Sequence, residues 1–338
     1  GEPGMTGSPL QLAGQSAMKG TRATVPTLTR AMTSIGWDRN HAPALRVRSG
    51  DEIFVQAPEC SNGQICASST LDDFLAMDLG QLDPIGGPIY VEGAEPGDVL
   101  RVEVLELTPG TFGWSANYPG TGLLTEDFPD PWFYVWDLTT GPAAEYLDDI
   151  WVPLEPMIGV LGCTPADPGP FPSVPPLRTG GNLDTKYIRE GTTVLLPVDV
   201  EGALLGIGDP HAAQGDGEVG GAGIEAPMDI TVRVTVDKTR SIQFPELEIP
   251  AGIERRTAAA AGYHVTTGVA PDLREAAQEA LRGLIRWLEA TTALRGVEAL
   301  ELCSVAGDLK ISEIVNDPMY VVSAFLPLDL FARRTRPL

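Results

Sequence analysis

Positive charge is scarce in this chain. Lysine occurs only at Lys19, Lys186, Lys238 and Lys310, and lysine plus arginine number 23 against 46 acidic residues, a formal net charge of -23. A phosphate-binding face needs clustered lysine and arginine, so nucleic acid is excluded as a partner, and an anionic membrane surface with it. Long apolar runs are missing too: nothing approaches the roughly 20 residues of a membrane span. The first residues show no basic stretch followed by an apolar core, so no signal peptide is expected. The four cysteines, Cys60, Cys66, Cys163 and Cys303, form no C-x-x-C pair, which excludes a zinc ribbon. In a chain of 338 residues free thiols are the default, and the expected location is the cytoplasm. Also absent are a G-x-S-x-G nucleophile elbow and a glycine-rich phosphate cradle with its lysine.

What is abundant is glycine, 38 residues, and proline, 30, without a collagen-like period. Together with many short apolar runs they predict a β-rich fold with many turns. Residues 1–22 are polar and glycine-rich and read as a flexible arm. Ala44 to Gln56 reads as two short strands around Ser49-Gly50-Asp51, with one wet face. Ser68 to Asp78 reads as a short helix capped by Ser69 or Thr70, with Asp72 and Asp73 as dipole partners in its first turn. Gly87 to Leu107 is a strand, a tight turn and an alternating strand. Gly110 to Asp149 is rich in aromatic residues and proline and reads either as a pocket cover or as a core insertion.

The character changes near residue 251. Pro271 to Thr291 carries Leu273, Ala276, Ala277, Ala280, Leu281, Leu284 and Leu288 on one stripe, which predicts a long helix starting at Asp272. A second helix is expected over Gly296 to Val305, then strands over Asp308 to Val315 and Met319 to Phe325. The expected organisation is a β-rich catalytic body over 23–250 and an α+β portion over 251–338 packed on it.

Chemistry concentrates in Leu205 to Glu225. Asp209, His211, Gln214, Asp216, Glu218 and Glu225 lie there among glycines, between apolar segments Thr193 to Val198 and Ile230 to Val236. Residues at i and i+2 of extended chain point the same way, so Asp209 with His211, and Asp216 with Glu218, each offer a pair of ligands to one point. Imidazole and carboxylate suit zinc, manganese or iron. The competing reading is a polar hairpin loop whose aspartates cap turns. Thr179 to Asp184 is a second Gly-Asx cluster, with Asn182 and Asp184 again at i and i+2, and the two loops are expected to face one another. Further polar candidates are Glu59 and Asn62, where a strand opens into a loop. His41 reads as a ligand, a substrate contact or a solvated loop histidine, the last being favoured by spacing.

The run Asp209-Pro-His-Ala-Ala-Gln-Gly-Asp-Gly-Glu-Val219 closely resembles the G-D-x-H-x-x-Q-G-D-G-E signature of the acetamidase/formamidase family, whose members hydrolyse short amides to a carboxylate and ammonia. The resemblance extends in order through Glu59 to Gln64, Gly87 to Asp98, Gly159 to Pro165, Gly180 to Asp184 and Ser304 to Ser312. At the position of Asn62 relatives often place Asp. The resemblance implies a mainly β fold, a β-sandwich or barrel-like body with an α+β C-terminal portion. It also implies a linear carboxamide as substrate, a divalent metal and a homo-oligomer. Carried over by position, Asn182, Asp184, Asp209, His211, Gln214, Asp216 and Glu218 are the site candidates.

Three schemes stay open. In the first, Asp184, Asp209 and His211 hold a metal, zinc first and calcium or manganese behind it. Glu218 and Asp216 then handle protons, and Asn182 or Gln214 orients the carbonyl. A small neutral amide rests against Glu59, Asn62 and Trp114. In the second, Cys163 is a nucleophile supported by Lys186 and a glutamate. In the third, the same scaffold binds without turnover and the polar loop only ties strands together.

Overall fold

The alternating segment Ile230 to Val236 is the middle of a longer strand, Met228–Asp237, whose side chains alternate buried and half-buried as its pattern requires. It pairs antiparallel with Glu52–Ala57 on one side and Val99–Pro109 on the other. Thr193–Pro197 and then Glu246–Glu248 extend this first sheet beyond Val99–Pro109, and Thr27–Leu28 closes its other edge. The molecule is seen here as a computed structural model that describes residues 25–253 and 260–334. The arm expected over residues 1–22 lies outside the described residues.

A second sheet runs in the order Gly180–Asn182, Met157–Cys163, Leu205–His211, Pro84–Glu92, Thr33–Ile35, with Leu45–Arg48 added parallel to Pro84–Glu92. The two strands expected around Ser49-Gly50-Asp51 therefore exist but do not pair with each other. Leu45–Arg48 belongs to the second sheet and Glu52–Ala57 to the first, so the turn carries the chain from one layer to the other. Between the layers Ile53, Val55, Leu100, Val102 and Val232 meet Ile89, Ile158, Leu161, Leu205 and Ile207 in one buried core. Each such side chain contributes about 1.5–3 kcal/mol on leaving water. This is the expected β-sandwich.

The short helix α1, Leu71–Leu75, closed by a capping box at Thr70, lies in the body. The C-terminal portion is α+β. Helix α2, Leu273–Thr291, starts at Asp272, whose carboxylate caps the amides of Arg274 and Glu275. Helix α3 spans Gly296–Ala306. Both pack with an antiparallel three-stranded sheet ordered Tyr263–Ala270, Tyr320–Pro327, Asp308–Glu313. The α2 stripe does not close on that sheet alone. Leu281, Leu284 and Leu288 share a core with Trp136, Tyr146 and Ile150, and with Ala212, Ala213, Val219 and Ile224 of the polar segment. The aromatic stretch after Gly110 is thus a pair of hairpins, Phe112–Asn117 with Trp132–Asp137 and Ala143–Glu145 with Trp151–Pro153, and works as a core insertion. Among the described residues no helix is long and apolar enough to cross a membrane.

Candidate active site

Leu205–His211 is a fully buried strand in the middle of the second sheet. Its glycines, which in the sequence suggest bent loop backbone, are positions of close approach. A Cβ on Gly208 would lie 2.6 Å from the Pro84 carbonyl oxygen, and one on Gly206 would lie 2.8 Å from the Trp37 ring. The strand ends on the chemistry. His211 Nε2 lies 3.3 Å from Asp209 Oδ1, so these two do converge, although Asp209 sits at φ 47° rather than in extended backbone.

Three further segments bring acids to the same point. Glu225 returns beside His211 and Trp114 through isolated bridges, and its Oε2 lies 3.2 Å from His211 Nε2. Asp184 arrives from the loop after Gly180–Asn182. Its Oδ1 and Asp209 Oδ2 both close over Gly159, where an added Cβ would meet them at 2.6 and 2.8 Å. Glu218 completes a group with Asp184 and His211 whose ligand atoms all lie within 4.8 Å of one another; Asp209, His211 and Glu225 form a second such group. Cys60, Asp83 and Asp209 form a third. Asp184, Asp209 and Glu218 all adopt left-handed backbone, at φ 41°, 47° and 42°, which costs of order 1–3 kcal/mol each for a non-glycine residue.

Gln214 settles which nitrogen of His211 carries hydrogen. Its Nε2 donates to the Asp184 carbonyl oxygen at 2.6 Å, and a carbonyl only accepts, so the amide orientation is fixed. Its Oε1 is therefore the atom 2.9 Å from His211 Nδ1, and Nδ1 is the donor. The other ring nitrogen, Nε2, faces Asp209 and Glu225 in a fully buried place. Nε2, Asp209 Oδ1, Glu225 Oε2 and Asp184 Oδ1 are all buried without a hydrogen-bond partner. Such atoms are costly unless a proton or cation lies among them.

The ionisation states report the same conflict. Burial lifts the Asp184 carboxyl to about 6, with the Asp209 charge adding to it. Burial lifts Glu225 to about 7, partly offset by the His211 ring, and lifts Asp83 to about 8 with help from Asp209. Glu218 is pushed well up by burial and by Asp184. Burial pulls on His211 in the opposite sense, but Glu225 and Asp209 outweigh it and hold the ring pKa well above its ordinary value. Asp209 alone is held low: burial is overcome by the His211 ring. These carboxylates cannot all be charged together unless a cation compensates them. An imidazole nitrogen with carboxylate oxygens is a donor set that fits a divalent ion.

Other candidates from the sequence go elsewhere. Asp216 does not join Glu218; it turns to Lys186, 3.5 Å away, which also pairs closely with Asp308. The i, i+2 argument fails there because Gly217, at φ 105°, breaks the extended chain. Gln214 uses both ends of its amide on His211 and Asp184 and so holds the ring; its second Nε2 hydrogen has no partner among these contacts. Asn182 donates to the Val174 carbonyl, while its Oδ1 is buried without a partner. Glu59 accepts from the Ser61 amide and hydroxyl, the Gly63 amide and Trp114 Nε1; it and Trp114 satisfy each other. Asn62 occupies a left-handed turn position at φ 59°, which suits its turn reading. His41 sits by Trp37 and Thr164, outside the His211 group.

Cys163 is buried in the sandwich core, where burial pushes its thiol up, and Lys186 is engaged with Asp216 and Asp308. Asp83, Cys60 and the role of Glu225 escape the sequence reading. Asp83 and Cys60 are far from the signature and reach the site only through sheet pairing. Glu225 lies inside the polar stretch, but only the bridge it forms with His211 brings it to the ring.

The chain has relatives of known structure and name. An acetamidase from Mycolicibacterium smegmatis is 31% identical over 245 residues, 54% of this chain; the match spans 60% of that relative's length. The crystal structure of an acetamidase from Bacillus halodurans is 35% identical with a TM-score of 0.63, covering 91% of this chain and 99% of that one. A gamma lactamase from Delftia acidovorans shares the fold at a TM-score of 0.81 and 23% identity, with 91% of each chain covered. Residues 29–168 and 171–333 match the sequence profile of the Acetamidase/Formamidase family, and the chain belongs to that family.

Proposed function

We propose that this protein hydrolyses linear carboxamides to a carboxylate and ammonia, using a divalent cation held by His211, Asp209, Glu225 and Asp184. The observation that carries the reading is His211 Nε2. Its partner nitrogen is committed to Gln214, and it faces two carboxylate oxygens at 3.2 and 3.3 Å without a hydrogen bond. That arrangement is stable around a cation and poor without one. When bound, the ion supplies Lewis acidity toward the amide carbonyl and lowers the pKa of water.

The chain's own residues do the rest. Glu218 borders both the ligand group and open space, and burial makes its carboxylate more basic. A carboxylate of that kind takes a proton from the attacking water and returns it to the amide nitrogen, which leaves as ammonia. Gln214 fixes the His211 tautomer, and Lys186 fixes Asp216 and Asp308 behind the loop. Zinc is the first choice for a histidine–carboxylate set, with manganese or calcium next. The protein is read as a homo-oligomer, supported by Val265 and Val269, exposed on one face of a strand. Free, buried Cys163 and Cys303 suit the cytoplasm.

The test is ammonia release from formamide, acetamide, propionamide and an aromatic amide, with and without a strong chelator. Release lost on chelation and restored by one divalent ion is expected. Release insensitive to prolonged chelation but abolished by a thiol-blocking reagent would contradict the reading and revive Cys163. No release from any amide would favour a binding protein.

A further inference from the structure

Glu218 also lines a groove beside the His211 group. Leu273 and Ala277 of α2, Leu309 and Ile311 of Asp308–Glu313, Val322 of the neighbouring strand and Leu123 form the apolar wall of this open groove of about 510 Å³. A volume of that size suits a ligand far larger than a two-carbon amide, since sites for drug-sized molecules run from about 300 to 1,000 Å³. Arg274 and Lys310 also line it, and their carbon stems extend the apolar surface while the charged ends reach water. Lys310 is steadied by the Phe325 ring, 4.4 Å from its Nζ.

Two features make this a substrate surface and not an idle cleft. Glu218 is shared: it lines the groove and offers a ligand atom within 4.8 Å of those of Asp184 and His211. The backbone on which Glu218 sits is tied to the groove wall. Leu309 N–H donates to the Asp216 carbonyl, and Asp216 N–H to Asp308 Oδ1. The distance from groove to reacting centre is therefore fixed by the fold.

We infer that this groove holds the acyl chain of the substrate, so that the protein acts on amides with a medium-length apolar acyl group in preference to acetamide. The inference rests on the amidase reading above. Water adds across the C–N bond as before, its oxygen to the carbonyl carbon and its proton to the leaving nitrogen; the groove adds only binding of the chain. It assigns chain selection to the C-terminal portion rather than to the aromatic insertion, which contributes only Gly122 and Leu123.

The experiment measures kcat/KM for acetamide, butanamide and hexanamide with the metal-loaded protein. A rise of roughly two- to fourfold per added methylene is expected, the upper value being that of full burial. Ala277→Phe fills the groove and Ile311→Asp charges it, and both should pull the hexanamide-to-acetamide ratio toward one. Ile311 is 60% exposed, so its replacement leaves folding intact even if Ala277→Phe does not. A wild-type ratio at or below one, with acetamide turned over normally, would overturn the inference. So would a high ratio unchanged in both variants. Loss of turnover on all three amides would overturn the amidase reading itself.

Discussion

Asp216 and Glu218 are two residues apart on one loop, yet they belong to clusters of opposite character. Asp216 shares Lys186 with Asp308: two carboxylates, one buried ammonium, and the Asp216 amide donating to Asp308. Glu218 shares His211 with Asp184, Asp209 and Glu225, and there the carboxylates outnumber the one basic ring. The first cluster is closed within the protein. In the proposed reading the second is closed by an added cation, and without one by protons held on its buried carboxyls. The lesson is that a dense run of acids in sequence does not by itself point to a metal site; what supports that reading of the His211 cluster is its excess of carboxylates over basic groups.

The comparison breaks most severely if the closed cluster is opened. Lys186→Met leaves Asp216 and Asp308 facing each other, half-buried and uncompensated, and should cost about 3 kcal/mol in urea unfolding. A loss below about 0.5 kcal/mol would mean that the cluster is a solvated surface pair after all. Gln214→Leu frees the His211 ring and the Asp184 carbonyl without replacing a ligand. It should weaken metal affinity about 10- to 100-fold, as loss of an outer hydrogen bond to a metal-bound histidine does, with little effect on the unfolding midpoint of the metal-free protein. An unchanged affinity would show that the ring is held by packing alone.

The smallest effect concerns a third kind of acid. Glu301 of α3 is fully buried with neither carboxylate oxygen paired, and Gly220 lies against it. Burial raises its carboxyl from an ordinary 4.5 to about 8. Between those values the folded state keeps a proton that the unfolded chain has lost, so stability falls as pH rises through that window. Glu301→Met should therefore stabilise the protein at pH 8 by about 1–2 kcal/mol, and by less near pH 4.5. Equal gains at both values would remove the titration from the account.

Much of this architecture can be read before folding. Asp209 and His211 lie on one strand and do converge as their i, i+2 spacing suggests, although the left-handed backbone at Asp209 and not plain strand periodicity brings them together. Helix α2 is plain from its stripe and its Asp272 cap. The central strand Leu205–His211 is not plain, because Gly206 and Gly208 look like loop residues when the reason for them is Trp37 and Pro84, more than a hundred positions away. Asp83 and Cys60 are silent for the same reason. Gln214 is visible as a polar residue, but its function depends on the Asp184 carbonyl, which only the meeting of two loops supplies. Glu59 shows the reverse: its isolation after a strand suggests a free site carboxylate, whereas Ser61, Gly63 and Trp114 occupy it.

The central claim is that the His211 cluster lacks a cation of its own and takes one. The most direct measurement is metal content by elemental analysis after dialysis of the purified protein against zinc, compared with the His211→Ala and Lys186→Met variants at equal folded concentration. The account predicts one tightly held ion per chain in the wild type and in Lys186→Met, and none in His211→Ala. A full complement in His211→Ala, or no ion in the wild type, would contradict it.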